Sequence, residues 1–211
     1  MKLDRIILYL NAEFFCLIAV IQTETTVSLE ELNLENLPLQ HELVKSVYTA
    51  FISEDNVVAA VLVGSLAAGK GDRVSDADIL ILTQNEFHKS TQECFSAFER
   101  GKEIFYRNQG FHNENAYFTK YIFTDLTSTE IHCLDLSEPF DISKPFKVLF
   151  DKTGAVESRL TDAPAPKHED FPAYTNGDQG LIWELLECIK WLSRGKNELA
   201  KSYLKKLADK L

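Results

Sequence analysis

Residues 61–82 read VLVGSLAAGKGDRVSDADILIL, and this stretch decides the fold. Residues 56–63 (NVVAAVLV) form a continuous apolar run rich in valine, the pattern of a strand buried on both faces. Gly64-Ser65 ends that run, and the small residues of 66–71 follow it. Residues 76–82 open on two acids and continue through Ile79, Leu80, Ile81 and Leu82, which predicts a second buried strand. Successive strand residues alternate faces, so Asp76 and Asp78 point to the same side.

Upstream, residues 41–53 place Leu43, Val44, Val47, Tyr48 and Phe51 at helical spacing, which predicts an amphipathic helix. Residues 26–39 are polar and acidic, with Asn33, Asn36 and Pro38 as breakers, and read as a connector. Downstream, residues 86–102 predict a helix with Phe87, Cys94, Phe95 and Phe98 on its apolar side. Strands are predicted at 116–124, 129–136 and 146–151, the last closed by the turn residues Lys152-Thr153-Gly154.

Pro164, Pro166 and Pro172 mark residues 161–172 as a linker, after which only helical periodicity remains. Leu181, Ile182, Leu185, Cys188, Ile189 and Leu192 form one stripe; Leu199, Tyr203, Leu204, Leu207 and Leu211 form another. Gly195 separates the two helices, which predicts an antiparallel hairpin. The fold class expected is α/β (α+β): a mixed sheet flanked by helices, followed by a C-terminal helical hairpin. The expected division is an N-terminal element at 1–40, a sheet domain at 41–160 and a helical cap at 173–211.

With 45% hydrophobic and 11% aromatic residues among 211, the chain has ample material for a core. Its formal net charge of −10 repels phosphate backbones, and no run of basic residues offsets it, which argues against nucleic-acid partners. A small cationic partner suits such a field better. Cys16, Cys94, Cys133 and Cys188 lack metal or disulfide spacing and read as buried thiols in a reducing cytoplasm. Residues 6–21 are mostly apolar, but Asn11 and Glu13 interrupt them and no small-residue cleavage pattern follows Val20. They are too short to span a membrane and are expected to form a buried element, strand or helix.

The chemistry concentrates in Gly64-Ser65 and Asp76-Ala77-Asp78. Two carboxylates held on one strand face repel each other unless a cation sits between them. Hard oxygen ligands in that arrangement suit Mg²⁺, which also takes phosphate oxygens. Glycine lets backbone amides approach a ligand, and a serine hydroxyl can donate to a phosphate oxygen. Taken singly, Asp-x-Asp is common solvated charge and Gly-Ser a common turn. An apolar strand, Gly-Ser, a spacer and an acidic pair opening a second apolar strand together make a demanding pattern.

That pattern resembles the DNA polymerase β-like nucleotidyltransferase superfamily. The closing segment, WELLECIKWLSRGKNELAKSYLKKL, is similar to the helical acceptor-side domain of the small antibiotic (aminoglycoside or lincosamide) nucleotidyltransferases. Family members often carry an arginine just after Gly-Ser; Leu66-Ala67-Ala68 stands here instead, so phosphate contacts would come from backbone amides, Lys70 or Arg73.

The resemblance implies transfer of an NMP, AMP by family habit, from ATP or another NTP to an acceptor hydroxyl. Asp76 and Asp78 would hold two Mg²⁺ ions, and a third carboxylate would complete the metal site or take the acceptor proton. Glu130 in TEIHCLDL fits that place, with Asp135 as its rival on the opposite strand face. His132 shares the face of Glu130 and could bind a metal or orient a phosphate; a packed or hydrogen-bonded histidine is the plainer reading. Glu184 and Glu187 could hold a cationic acceptor, while Trp183 and Trp191 suit packing of the cap. A cap this small leaves apolar surface for a second copy. Two other readings stand beside this one: a protein- or tRNA-modifying nucleotidyltransferase, including the toxin–antitoxin kind, and an inactive nucleotide-binding member.

Overall fold

The computed structural model describes residues 32–166 and 171–211. The readings placed on residues 1–31, including the apolar run at 6–21 and Cys16, lie outside the described residues. Helix α1 (Pro38–Phe51) starts three residues before its expected first residue, His41. Pro38, taken from sequence as a breaker, is the first helical residue. Its missing N–H costs nothing there and its fixed φ suits a helix start. Leu43, Val44, Val47 and Phe51 are buried along the helix, as their spacing predicts.

Strand β1 (Val57–Val63) is buried nearly throughout and pairs antiparallel with β2 (Ala77–Thr83). The single helical turn α2 (Gly64–Ala67) follows β1 directly. The helix expected at 86–102 is split: a 3-10 turn at Phe87–Lys89 precedes α3 (Gln92–Glu99). Asn85 and Glu86 both have positive φ, which no α-helix can contain. The long strand β3 (Ile104–Asn113) was not foreseen. It lies at a sheet edge and is largely solvated, so its polar centre, Arg107-Asn108-Gln109, hides the alternation.

Strands β4 (Ala116–Phe123), β5 (Ser128–Asp135) and β7 (Lys147–Asp151) match their predicted positions. The sheet runs β3-β4-β5-β2-β1-β7, and β2 and β5 form its parallel pair, so the sheet is mixed. A separate two-residue pair joins β6 (Ile142–Ser143) to β8 (Leu160–Thr161). Helices α1 and α3 cover one face, where Leu43, Val47, Phe51, Phe95 and Phe98 pack on Ala60, Leu62, Ile79, Ile81 and Ile131. On the opposite face Val61, Leu80, Leu82 and Leu134 pack with Ile142 and Val156.

The hairpin of α4 (Gly177–Ser193) and α5 (Asn197–Ala208) forms as expected, with Trp191 and Tyr203 edge to face. Of the stripe assigned to α4, Cys188 is buried and Leu181 half-buried, but the other four residues face outward. Gly180, Trp183, Glu184, Cys188, Lys190 and Trp191 are buried, whereas Ile182, Leu185, Ile189 and Leu192 are exposed. Hydrophobic periodicity locates a helix, but ion pairs decide which face turns inward here. Cys94, Cys133 and Cys188 are buried free thiols. Among the described residues, no helix is long and apolar enough to cross a membrane.

Candidate active site

The register of the sheet sets five residues in one rank across five strands. Val63 pairs with Asp78, Asp78 with Glu130, Glu130 with Lys120 and Lys120 with Asn108. Paired residues in a sheet share a face, so Asp78, Glu130 and Lys120 stand side by side. Asp76 lies just before the first residue of β2 rather than within the strand. This end of the sheet is where β1 terminates in Gly64-Ser65.

Gly64 is held at a φ of +71°, and a Cβ there would lie 2.3 Å from Asp78 Oδ2. The glycine is therefore required twice, by its backbone conformation and by the close approach of the carboxylate. Burial raises the Asp78 pKa well above the ordinary carboxylate range; Asp76, Glu130 and Glu187 raise it further, and Lys190 opposes them. Burial would also raise Glu130, but His132 and Lys120 outweigh it and hold this carboxyl far below its usual range. His132 Nε2 lies 2.9 Å and Lys120 Nζ 2.8 Å from Glu130 Oε1. His132 Nδ1 in turn lies 3.2 Å from His112 Nε2. His132 is thus a hydrogen-bonded strand histidine, and its partner Glu130 is held in place by it.

Asp135 lies five residues further along β5, where it accepts from the backbone N–H groups of Glu86 and Ser137. It closes loops at the far end of β2 and does not approach Asp76 or Asp78. Of the two rivals for the third acid, Glu130 is the one beside the pair.

The sequence reading missed Lys190. This buried lysine of α4 places Nζ 3.0 Å from Asp76 Oδ2 and 2.6 Å from Glu187 Oε1. Burial would lower its pKa, but Asp76 and Glu187 outweigh it and the ammonium is favoured. Trp183 lies between two cations, 5.1 Å from Lys190 Nζ and 5.0 Å from Lys120 Nζ. One turn on, Arg194 grips Asp72 with two bonds of 2.7 and 2.8 Å. A lysine three residues after a glutamate, inside a helix flanked by two tryptophans, was the only sequence signal for this arrangement.

Ser65 lies in the α2 turn beside Gly64, where its carbonyl accepts from Lys70 N–H. Lys70 is exposed. Arg73 donates to the backbone oxygen of Asp125 at 2.7 Å, so its guanidinium is occupied by the β4–β5 turn. Glu184 is buried inside the hairpin, accepting from Tyr174 N–H and Tyr203 OH at 3.0 Å each. It is not turned toward the acid rank, whereas Glu187 is.

Among the described residues, no three His, Cys, Asp or Glu side chains already close around a point as metal ligands. The donor set nevertheless fits a hard divalent cation. Asp76 and Asp78 are close enough that the charge of the first raises the pKa of the second, and Mg²⁺ is commonly held by one or two carboxylates plus phosphate oxygens and water.

A sequence model of the nucleotidyltransferase domain matches residues 44–150, from within α1 to the end of β7. The chain belongs to this nucleotidyltransferase domain family, whose members are enzymes that transfer nucleotidyl groups. No curated protein sequence matches it. Two solved structures resemble it weakly. The GLD-2/RNP-8 complex is 16% identical with a TM-score of 0.33, covering 49% of this chain and 41% of that one. The poly(A) polymerase complex of GLD-2 with GLD-3 is also 16% identical with a TM-score of 0.33, covering 52% and 36%. The chain therefore spans less than half the length of either.

Proposed function

We propose that the chain transfers a nucleotidyl group, AMP in the first instance, from a nucleoside triphosphate to a hydroxyl of a small acceptor. The observation that carries this reading is the placement of Asp76, Asp78 and Glu130 at the strand end that terminates in Gly64-Ser65. Asp76 and Asp78 would hold divalent ions, Mg²⁺ by the chemistry of the oxygen donors. When bound, such ions would neutralise phosphate charge and align the triphosphate for in-line displacement.

The acceptor oxygen then bonds to the α-phosphorus, the bond from that phosphorus to the bridging oxygen breaks, pyrophosphate leaves and the hydroxyl proton goes to solvent. Glu130, held ionised by Lys120 and His132, is a poor base and a good carboxylate ligand, so its part is electrostatic. The backbone amides of α2 and the Ser65 hydroxyl are the phosphate donors nearest the acids; Lys70 is exposed and close in sequence, and Arg73 is the weakest of the four candidates.

A small acceptor fits because α4 lies over the rank of acids and limits access. An amine-bearing acceptor of the aminoglycoside or lincosamide kind suits the net charge of −10. Glu187 is its leading contact, since Glu184 is committed within the hairpin. The test is pyrophosphate release from ATP with Mg²⁺ and a panel of hydroxylated amines, with Asp78→Asn as the control. Release that depends on an acceptor and on Asp78 is expected. Release unaffected by Asp78→Asn would overturn the assignment, and release only with a protein or tRNA acceptor would replace the small-molecule reading.

A further inference from the structure

Helix α4 turns its charge inward and its grease outward. Between Gln179 and Ser193 its exposed residues are Ile182, Leu185, Ile189 and Leu192, and none of them is polar. They are 44%, 44%, 59% and 46% exposed. Glu184, Glu187 and Lys190, which a solvated helix would show to water, are turned toward α5 and the acid rank. A surface helix ordinarily does the reverse.

The spacing is equally informative. Ile182, Leu185, Ile189 and Leu192 alternate steps of three and four, with isoleucine and leucine in turn. This is the a/d seam of a helix that packs against another helix, and isoleucine at a with leucine at d favours a pair. About half of each of four large aliphatic side chains amounts to on the order of 400 Å², within the roughly 300–600 Å² of the largest apolar patch on a typical monomer, which is often functional.

A second copy of this chain is the occupant that fits. Pressed against its own image, the patch would bury on the order of 800 Å² of apolar surface, about half of a standard interface near 1,600 Å² and close to the usual apolar share. Two chains of net charge −10 repel each other over most of their surface. Beyond Asp178 in the first turn, the outward face of α4 carries no charge, so little of that repulsion falls on the stripe itself. An isologous contact uses the same patch on both partners, so one stripe suffices.

We propose that the chain pairs through α4 against α4 across a two-fold axis. The inner face of the same helix holds Trp183, Glu187 and Lys190 against the acids. Pairing therefore also fixes the helix that closes the candidate site. The proposal does not depend on which reaction the site performs.

Light scattering on the full chain tests it. The wild type is expected to have the mass of two chains at micromolar concentration. Leu185→Glu combined with Ile189→Glu should have the mass of one chain with unchanged circular dichroism. Phe105→Glu, on the exposed edge strand β3, should remain a pair. Ile189→Cys, whose side chain is already solvated, should form a covalent dimer under mild oxidation. A wild type of one-chain mass would overturn the proposal, meaning that residues 1–31 or a different protein cover the stripe. So would a paired double variant, or failure of Ile189→Cys to cross-link.

Discussion

The ammonium of Lys190 lies 3.0 Å from Asp76 Oδ2, so a lysine from the C-terminal hairpin neutralises the first acid of the Asp-x-Asp pair. Asp78, two residues on, receives no such direct partner in the hydrogen bonds and ion pairs of the described residues, and its neighbours are mostly carboxylates. The two acids, alike in sequence, therefore stand in different electrostatic surroundings.

This contrast predicts opposite effects on stability. Asp78→Asn removes a charge that burial and Asp76, Glu130 and Glu187 all oppose, and it should raise the melting temperature of the metal-free protein. Asp76→Asn removes a partner from buried Lys190 and should destabilise by roughly 1.5–3 kcal/mol, the range of a hydrogen bond to a charged group. Both should lower nucleotidyl transfer by about 10²-fold or more. Melting curves and turnover of the two variants check this; shifts of the same sign would refute the electrostatic account.

Gly64→Ala should damage the site more than its size suggests. The new methyl group would meet Asp78 Oδ2 at 2.3 Å and would force alanine to a φ of +71°. The backbone alone costs about 1–2 kcal/mol. Activity should fall together with stability, whereas Gly69→Ala, also at positive φ but with open space around its Cβ, should cost only the backbone part. Chemical denaturation of both variants separates the two contributions.

Lys190→Met should lower the melting temperature without added metal, because Asp76 and Glu187 lose their shared cation. Adding Mg²⁺ should then raise the melting temperature of this variant more than that of the wild type, since the ion would meet less competition near Asp76. An equal rise in both proteins would place the metal away from Asp76.

The Asp72–Arg194 clasp predicts an acid-sensitive contact between the C-terminal end of α4 and the loop leading into β2. Bonding to Arg194 holds the Asp72 pKa at about 2, below its ordinary 3.8. A depressed carboxyl stabilises the folded state above the unfolded pKa and loses that contribution as pH falls through the folded one. The contribution of the clasp should therefore be complete above about pH 4 and fade toward pH 2. Arg194→Met should flatten melting temperature against pH in that window, with solvent exposure keeping the effect modest. A wild-type profile unchanged by the substitution would show that the clasp adds nothing.

The sequence by itself determined the two central strands and the glycine that ends the first, although Asp76, read as opening the second strand, falls just outside it. These follow from local rules: a continuous valine-rich run, a glycine at its end and a side-chain period of two. Strand alternation separated Glu130 from Asp135, and the family resemblance of the TEIHCLDL run favoured Glu130. The edge strand β3 was not legible, since a solvated strand with Arg107-Asn108-Gln109 at its centre carries little apolar alternation. Only the tertiary structure decided which face of α4 turns inward. Periodicity favours burying Ile182, Leu185, Ile189 and Leu192, yet the helix buries Lys190, whose long-range partner Asp76 lies 114 positions away. An ion pair of that separation leaves no mark on local hydrophobic spacing, so no window of sequence around either residue contains it.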